Sequence, residues 1–173
     1  MRKLWIVMLG LLMSVFVTTV NATIHHSPIG YWKQYDDKTG QLQSLMKIWR
    51  SEKGDIRGKV VTGYEINHKP PRLFCTGCDG KHHNQRIAGM TILWGMWLDN
   101  GYWQKGRILD PNSGDIYHAQ MRLKHQGNQL DVRGYIGILL FGRSQTWVRL
   151  PKKQFKAMLA KGYPQPKVAF KKS

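Results

Sequence analysis

Acidic residues and cysteines are both scarce in this sequence. Its 173 residues include 10 Asp and Glu against 27 Lys and Arg, which gives a formal net charge of +17, and only 2 Cys. Apart from Asp36 and Asp37 in a turn, no paired carboxylates point to hydrolysis. The sequence also lacks a nucleotide-binding loop, a metalloprotease helix and a nucleophile elbow, so the common motif-bearing enzyme classes have no support. A hydrophobic content of 42% is sufficient for one folded domain.

The first 22 residues have the pattern of an export signal. Arg2 and Lys3 precede an apolar run over residues 4–20, and Ala22 supplies the small residue that a signal peptidase requires. We therefore predict a signal peptide over residues 1–22 and a periplasmic or secreted mature protein. An uncleaved anchor is the alternative, because the apolar run is barely long enough to span a bilayer. After cleavage, no remaining segment of the sequence is a transmembrane candidate.

Residues 30–150 consist of short segments of alternating polarity separated by turn residues. In residues 42–50, for example, Met46 and Ile48 face one way, and Lys47 and Trp49 face the other. The Asn100-Gly101 pair is a strong hairpin signal. Strands are predicted over residues 30–35, 42–50, 56–66, 87–98, 102–109, 116–123, 130–138 and 142–150. This spacing predicts an all-β fold, a single antiparallel up-and-down barrel of about eight strands, in preference to an open sandwich with exposed edges.

The two cysteines form a Cys75-x-x-Cys78 motif in a loop rich in proline and glycine. In an exported protein such a pair is most often oxidised, so we expect a structural disulfide between them. A thiol-redox role is an alternative, although the flanking residues lack the helix start that stabilises a reactive thiolate. A zinc site that adds His82 and His83 is a further alternative, with unorthodox spacing.

The character of the chain changes after Leu150. Residues 151–173 contain seven lysines and no acidic residue, so we treat them as a separate Lys-rich segment. Phe155, Met158 and Leu159 have the spacing of a short helix that packs on the barrel. The lysines beyond them predict either a solvated tail or attraction to an anionic lipid or envelope polymer. Nucleic acid is not an expected partner, because exported proteins seldom meet it.

Several blocks of the mature sequence resemble one bacterial family, the domain of unknown function 2147 (DUF2147). The resemblance covers about residues 28–150 and assigns residues 23–150 to one barrel domain. It implies an exported bacterial protein and supplies no reaction. The blocks are Gly30-Tyr31-Trp32, Cys75-x-x-Cys78, Ile87-Ala88-Gly89-Met90, Trp103-x-x-Gly106-x-Ile108-Leu109-Asp110-Pro111-x-Ser113-Gly114-x-x-Tyr117, Leu130-x-Val132-Arg133-Gly134-Tyr135-Ile136-Gly137 and Gly142-Arg143-Ser144-Gln145-Thr146-Trp147.

A looser resemblance involves the first and last strands of the predicted barrel. Gly30-x-Trp32 on the first strand, with Arg149 on the last, is similar to the barrel-closing pair of lipocalin-like proteins. In that pair a cation lies over the first-strand indole and seals one end of the barrel. The alternative is that Trp32 is an ordinary core aromatic.

These patterns favour a non-enzymatic binding protein. We expect a small apolar or amphipathic ligand, or an envelope component, with no cofactor, no metal and no catalytic residues. Asp110 is interpreted as a turn former, and Arg133 as a charge on the barrel exterior. We expect the chain to be a monomer, and an eight-stranded barrel has room for one small ligand or for side chains alone. The candidate ligand-binding residues are Trp32, Tyr117, Tyr135, Arg143 and Trp147.

Overall fold

The computed structural model describes residues 26–164, which form a closed barrel of eight antiparallel strands joined in chain order. A short helix, α1 (Lys152–Leu159), follows the barrel. The predicted all-β barrel and its C-terminal helix are confirmed. The predicted signal peptide over residues 1–22 and the end of the Lys-rich segment from residue 165 lie outside the described residues. The strands are β1 (Gly30–Tyr35), β2 (Leu42–Arg50), β3 (Ile56–Gly63), β4 (Thr91–Asp99), β5 (Tyr102–Leu109), β6 (Ile116–Lys124), β7 (Gln129–Tyr135) and β8 (Gly142–Leu150).

The barrel closes where the first strand meets the last. On this seam Trp32 pairs with Arg149, and Lys33 pairs with Val148. Closure leaves no free sheet edge, which removes a site of edge-to-edge aggregation. The seam therefore places the two strands that carry the predicted closing pair side by side.

Alternation along the strands divides the interior from the exterior. On β2, Ser44, Met46 and Ile48 are buried, and on β7 Leu130 and Val132 are buried. These side chains point inward because successive residues of a strand face opposite sides of the sheet. The buried cluster inside the barrel contains Trp32, Met46, Ile48, Ile56, Val60, Leu93, Met96, Leu109, Met121, Leu130, Val132 and Trp147, among others.

Helix α1 packs on the outside of the barrel. The ring of Phe155 stacks on Tyr31 with 3.8 Å between the ring centroids. The Tyr64 hydroxyl donates a hydrogen bond of 2.6 Å to the Met158 carbonyl, and burial raises the pKa of this tyrosine. After the helix, the Tyr163 N–H donates to the Gly63 carbonyl at 2.9 Å. These contacts hold the apolar side of the helix against β1 and β3.

The up-and-down topology gives the barrel two distinct ends. We call one the closed end, where the chain enters at residues 26–29 and where the connections at residues 51–55, 100–101 and 125–128 lie. The other is the open end, which carries the four connections at residues 36–41, 64–90, 110–115 and 136–141. Three of the open-end connections have six residues each, and the fourth is a long loop, so most of the irregular chain lies at this end.

Three strands are shorter than the sequence predicts. The strand predicted over residues 56–66 ends at Gly63, and residues 66–69 form a tight turn in which Asn67 and His68 have positive φ. The strand predicted over residues 87–98 begins at Thr91. The strand predicted over residues 130–138 ends at Tyr135. Local turn hydrogen bonds end the regular pairing after Gly63 and after Tyr135, with Ile66 bonded to Lys69 and Phe141 to Ile138. Before Thr91 the chain still bonds to β3, because the Gly89 N–H donates to the Val60 carbonyl and the Val60 N–H donates to the Met90 carbonyl.

Candidate functional site

The closed end is sealed by an arginine that lies over a tryptophan. The Arg149 guanidinium lies 4.2 Å from the centroid of the Trp32 ring, and the Trp32 indole N–H donates to the Pro28 carbonyl at 2.8 Å. Arg149 also donates to the carbonyls of Gly127 at 2.6 Å and Ser27 at 2.7 Å. Burial lowers the pKa of the Arg149 guanidinium. The pair predicted from the first and last strands is present and closes this end of the barrel.

A cavity of about 800 Å³ extends into the barrel from the open end. This volume lies within the range of roughly 300–1,000 Å³ that is typical of small-molecule sites. Its deeper wall is mainly apolar, and its mouth is formed by the open-end connections. The apolar wall includes Val60, Ile87, Ile92, Ile108, Leu109 and Val132.

A line of hydrogen bonds runs from the cavity wall to the mouth. The Ser44 hydroxyl donates to Gln34 Oε1 at 2.6 Å, and Gln34 Nε2 donates to Gln145 Oε1 at 2.8 Å. Gln145 Nε2 donates to Asp37 Oδ2 at 3.3 Å, and the same carboxylate oxygen accepts a 2.8 Å bond from Arg143 Nε. These partners satisfy the polar side chains and place amide and hydroxyl groups along one side of an otherwise apolar cavity.

One polar atom in the wall has no such partner. Trp147 is 1% exposed and lines the cavity, and its indole N–H has no hydrogen-bond acceptor among residues 26–164. A buried donor without an acceptor costs roughly 1–3 kcal/mol. Within the described residues this N–H is closed to solvent as well as unpartnered, so it is a buried polar group behind the cavity wall and not a donor that the cavity presents to a ligand.

Tyr117 and the acidic residues of the mouth have local partners. The Tyr117 hydroxyl donates to Asp115 Oδ2 at 3.3 Å, and burial, together with the charge of Asp115, raises the pKa of this phenol. The Asp110 carboxylate accepts the Asn112 N–H at 2.9 Å, as expected for a turn former. The Asp36 carboxylate accepts the Thr39 N–H at 2.8 Å, and this bond is the main reason that its pKa is lowered. These carboxylates stabilise the turns in which they lie.

The structure brings three of the five candidate ligand-binding residues to the cavity. Tyr117, Arg143 and Trp147 line it. Trp32 lies at the closed end under Arg149 and is not part of the cavity wall. Tyr135 is not part of the wall either, because alternation on β7 turns it away, and its ring stacks on His118 with 5.3 Å between the centroids.

Sequence reasoning missed the contribution of Gln34 and Ser44. Both are uncharged residues in ordinary strand segments, and no motif marks them. Their inward direction follows from the same alternation that places Trp32 and Met46 in the interior. The signal that identifies Gln34 and Ser44 is their alternation with outward residues along β1 and β2.

Cys75 and Cys78 form a disulfide, and both are almost fully buried. Their loop packs closely on the neighbouring open-end connection, since a Cβ atom added at Gly77 would lie 2.7 Å from the Ser113 carbonyl oxygen. This burial restricts access to the disulfide and favours a structural role over thiol exchange. Within the described part of the chain, no three His, Cys, Asp or Glu side chains are grouped to hold a metal ion.

Comparisons with known proteins agree with this architecture. A bacterial family model, described as "Uncharacterized protein conserved in bacteria (DUF2147)", matches residues 30–149. No curated protein matches the chain. Among solved structures, protein HP1028 from the human pathogen Helicobacter pylori, described as belonging to the lipocalin family, matches with a TM-score of 0.63 at 13% identity. The alignment covers 81% of this chain and 92% of that protein, and at this identity the likeness concerns the fold alone.

No helix within residues 26–164 has both the length and the apolar character to span a bilayer.

Proposed function

The chain belongs to the DUF2147 family and has a lipocalin-like barrel, and from this premise we propose that it is an exported, non-catalytic protein that binds one small amphipathic molecule. The observation that carries the proposal is the open cavity of about 800 Å³, whose wall is mainly apolar and carries the amides of Gln34 and Gln145 on one side. The export part of the proposal is supported by the leader pattern in residues 1–22 and by the Cys75–Cys78 disulfide.

The cavity suits a ligand with an apolar body and a polar group. Val60, Ile92 and Val132 offer an apolar surface, and transfer of a ligand's hydrocarbon to such a surface is favourable by roughly 25 cal/mol per Å². Gln34 and Gln145 lie in the cavity wall and offer amide groups that orient a polar group of the ligand.

The polar groups of the cavity support binding rather than catalysis. Within residues 26–164, the Ser44 hydroxyl contacts the Gln34 amide oxygen and the Met46 sulfur, and neither is the base that an activated nucleophile needs. Asp36 and Asp110 are held by backbone N–H groups of their own turns. Because their hydrogen bonds hold these two carboxylates in their turns, we infer that they stabilise the mouth and do not act as general acids or bases.

A fluorescent fatty acid tests the proposal. The probe is 11-(dansylamino)undecanoic acid, whose emission rises when the dansyl group leaves water. Val132→Trp fills the cavity from its wall and is expected to weaken probe binding by at least about tenfold.

The matched control for the cavity-filling variant is Thr146→Trp. It adds the same side chain to the exterior face of β8, one residue from the inward Trp147, so its affinity should stay within about twofold of the parent. Circular dichroism and thermal unfolding establish that each variant is folded. Equal probe binding by folded Val132→Trp and by the parent chain would contradict a site inside the barrel.

A further inference from the structure

Five large apolar side chains are exposed together in the connection between β7 and β8. We call residues 136–141 the apolar loop. An exposed apolar cluster of this kind is unusual on a water-facing surface and marks an interaction site. The exposed fractions are 66% for Ile136, 59% for Ile138, 43% for Leu139, 77% for Leu140 and 70% for Phe141.

Four carbonyls of the apolar loop, those of residues 138–141, accept hydrogen bonds, from the loop itself and from Arg133 on β7. The donors are the N–H groups of Phe141 and Ile136 and the guanidinium of Arg133, which reaches the Leu139 carbonyl at 2.9 Å and the Leu140 carbonyl at 3.3 Å. An unsatisfied backbone group costs several kcal/mol in hydrocarbon, so these bonds make entry of the loop into an apolar phase less costly.

The apolar loop lies at the mouth of the cavity, where basic residues outnumber acidic ones. Ile136 and Phe141 contribute to the cavity lining, whose charged residues are Lys38, Lys69, Arg72, Arg143, Asp36 and Asp110. Removal of the predicted signal peptide takes away Arg2 and Lys3, so the formal net charge of +17 becomes +15. An apolar tip on a basic protein complements a bilayer with anionic headgroups, because the two attractions act together there.

We propose that the apolar loop inserts into the interfacial layer of an anionic phospholipid bilayer and turns the cavity mouth toward the membrane. This surface goes beyond ligand binding, because docking depends on the loop and on charge and does not require an occupied cavity. Docking in this orientation gives an amphipathic molecule a route between bilayer and cavity that avoids water.

Vesicle flotation tests the docking surface with a chain that begins at Thr23 and keeps all described residues. Vesicles of phosphatidylglycerol and phosphatidylethanolamine should carry the protein upward, whereas pure phosphatidylcholine vesicles should carry much less. Ile138→Ser combined with Leu140→Ser changes two exposed residues that do not line the cavity. We expect this double variant to lower the partition coefficient at least about tenfold and to leave binding of the dansyl fatty acid unchanged.

The matched control is Trp97→Ser combined with Leu98→Ser. These residues are 48% and 63% exposed and lie near the closed end, so their replacement should leave flotation unchanged. Equal losses of vesicle partitioning in the two double variants would overturn the proposal. So would flotation that survives the loop substitutions and disappears on deletion of residues 165–173, since the Lys-rich segment would then be the membrane contact.

A site-specific label gives a second readout. An environment-sensitive nitrobenzoxadiazole label at Leu140→Cys should shift to the blue with anionic vesicles and be quenched by spin-labelled lipid, while the same label at Leu98→Cys should not respond. A blue shift without vesicles that grows with protein concentration would overturn the proposal and identify a second copy of the chain as the partner.

Discussion

Two arginines on the inward side of β8 have opposite environments at the two ends of the barrel. Arg149 is half-buried over Trp32 and donates to backbone carbonyls, whereas the Arg143 side chain is 66% exposed and pairs with Asp37 at the cavity mouth. Six residues along one strand therefore separate an arginine that closes the barrel from an arginine that borders its entrance. We therefore expect the arginine at the closed end to contribute more to the free energy of unfolding than the arginine at the cavity mouth.

Arg149→Met should give the largest effect. It removes the cation over Trp32 and leaves the carbonyls of Gly127 and Ser27 without their donor. We expect a loss of about 3 kcal/mol in the free energy of unfolding, measured by urea denaturation. A loss below about 1 kcal/mol would show that the closed end does not depend on this pair.

The second-largest effect should come from acidic pH, which acts at the closed end through Asp55. Asp55 is 4% exposed, and although burial acts to raise its pKa, hydrogen bonds from Ser51, Arg57 and the Gly95 N–H lower it to about 2. Because the folded pKa lies below the unfolded value, this carboxylate stabilises the fold above about pH 4, and its contribution disappears as the pH falls to about 2. We expect a loss of about 2 kcal/mol over this range.

The measurement for Asp55 is urea denaturation at several pH values. Asp55→Asn should lower stability near neutral pH and flatten the profile between pH 5 and pH 2. Asp37→Asn serves as the open-end control. It should leave the decrease in unfolding free energy between pH 5 and pH 2 unchanged, because Asp37 pairs with the exposed Arg143. Equal flattening by both variants would contradict the assignment of this transition to the closed end.

Arg143→Met should give the smallest effect on stability. The ion pair with Asp37 is largely exposed, and such pairs contribute about 0–1 kcal/mol. We therefore expect unfolding close to that of the parent chain, in contrast to the same substitution at position 149. If both arginine variants lose similar stability in urea denaturation, the proposed difference between the two ends is wrong.

Much of the fold follows from local patterns. Alternation on β2 and β7, the Asn100-Gly101 turn and the closing pair of Trp32 and Arg149 all have direct sequence signals. The cavity was harder to predict because inward alternation does not distinguish a side chain that fills the interior from one that borders a void. Tyr117 and Trp147 both point inward, as Trp32 does, yet only the packing of neighbouring strands determines that they line the cavity.

The apolar loop shows a similar limit. The predicted strand over residues 130–138 enters the apolar run at residues 138–141, because apolar residues after a strand usually extend it. In the structure Gly137 has a φ of +67°, and Arg133 binds the carbonyls of Leu139 and Leu140, so the chain turns and its apolar side chains face outward. A cross-loop contact from an arginine cannot be inferred from local periodicity.

The number of strands, their alternation and the closure of the barrel can be predicted from the amino-acid sequence. These features depend on short-range polarity patterns and on the strong preference for a sheet without edges. The place where a void remains and the apolar residues that face outward could be known from the three-dimensional fold alone. Those features depend on how side chains from distant strands fill one shared space, and that volume is set by all eight strands together.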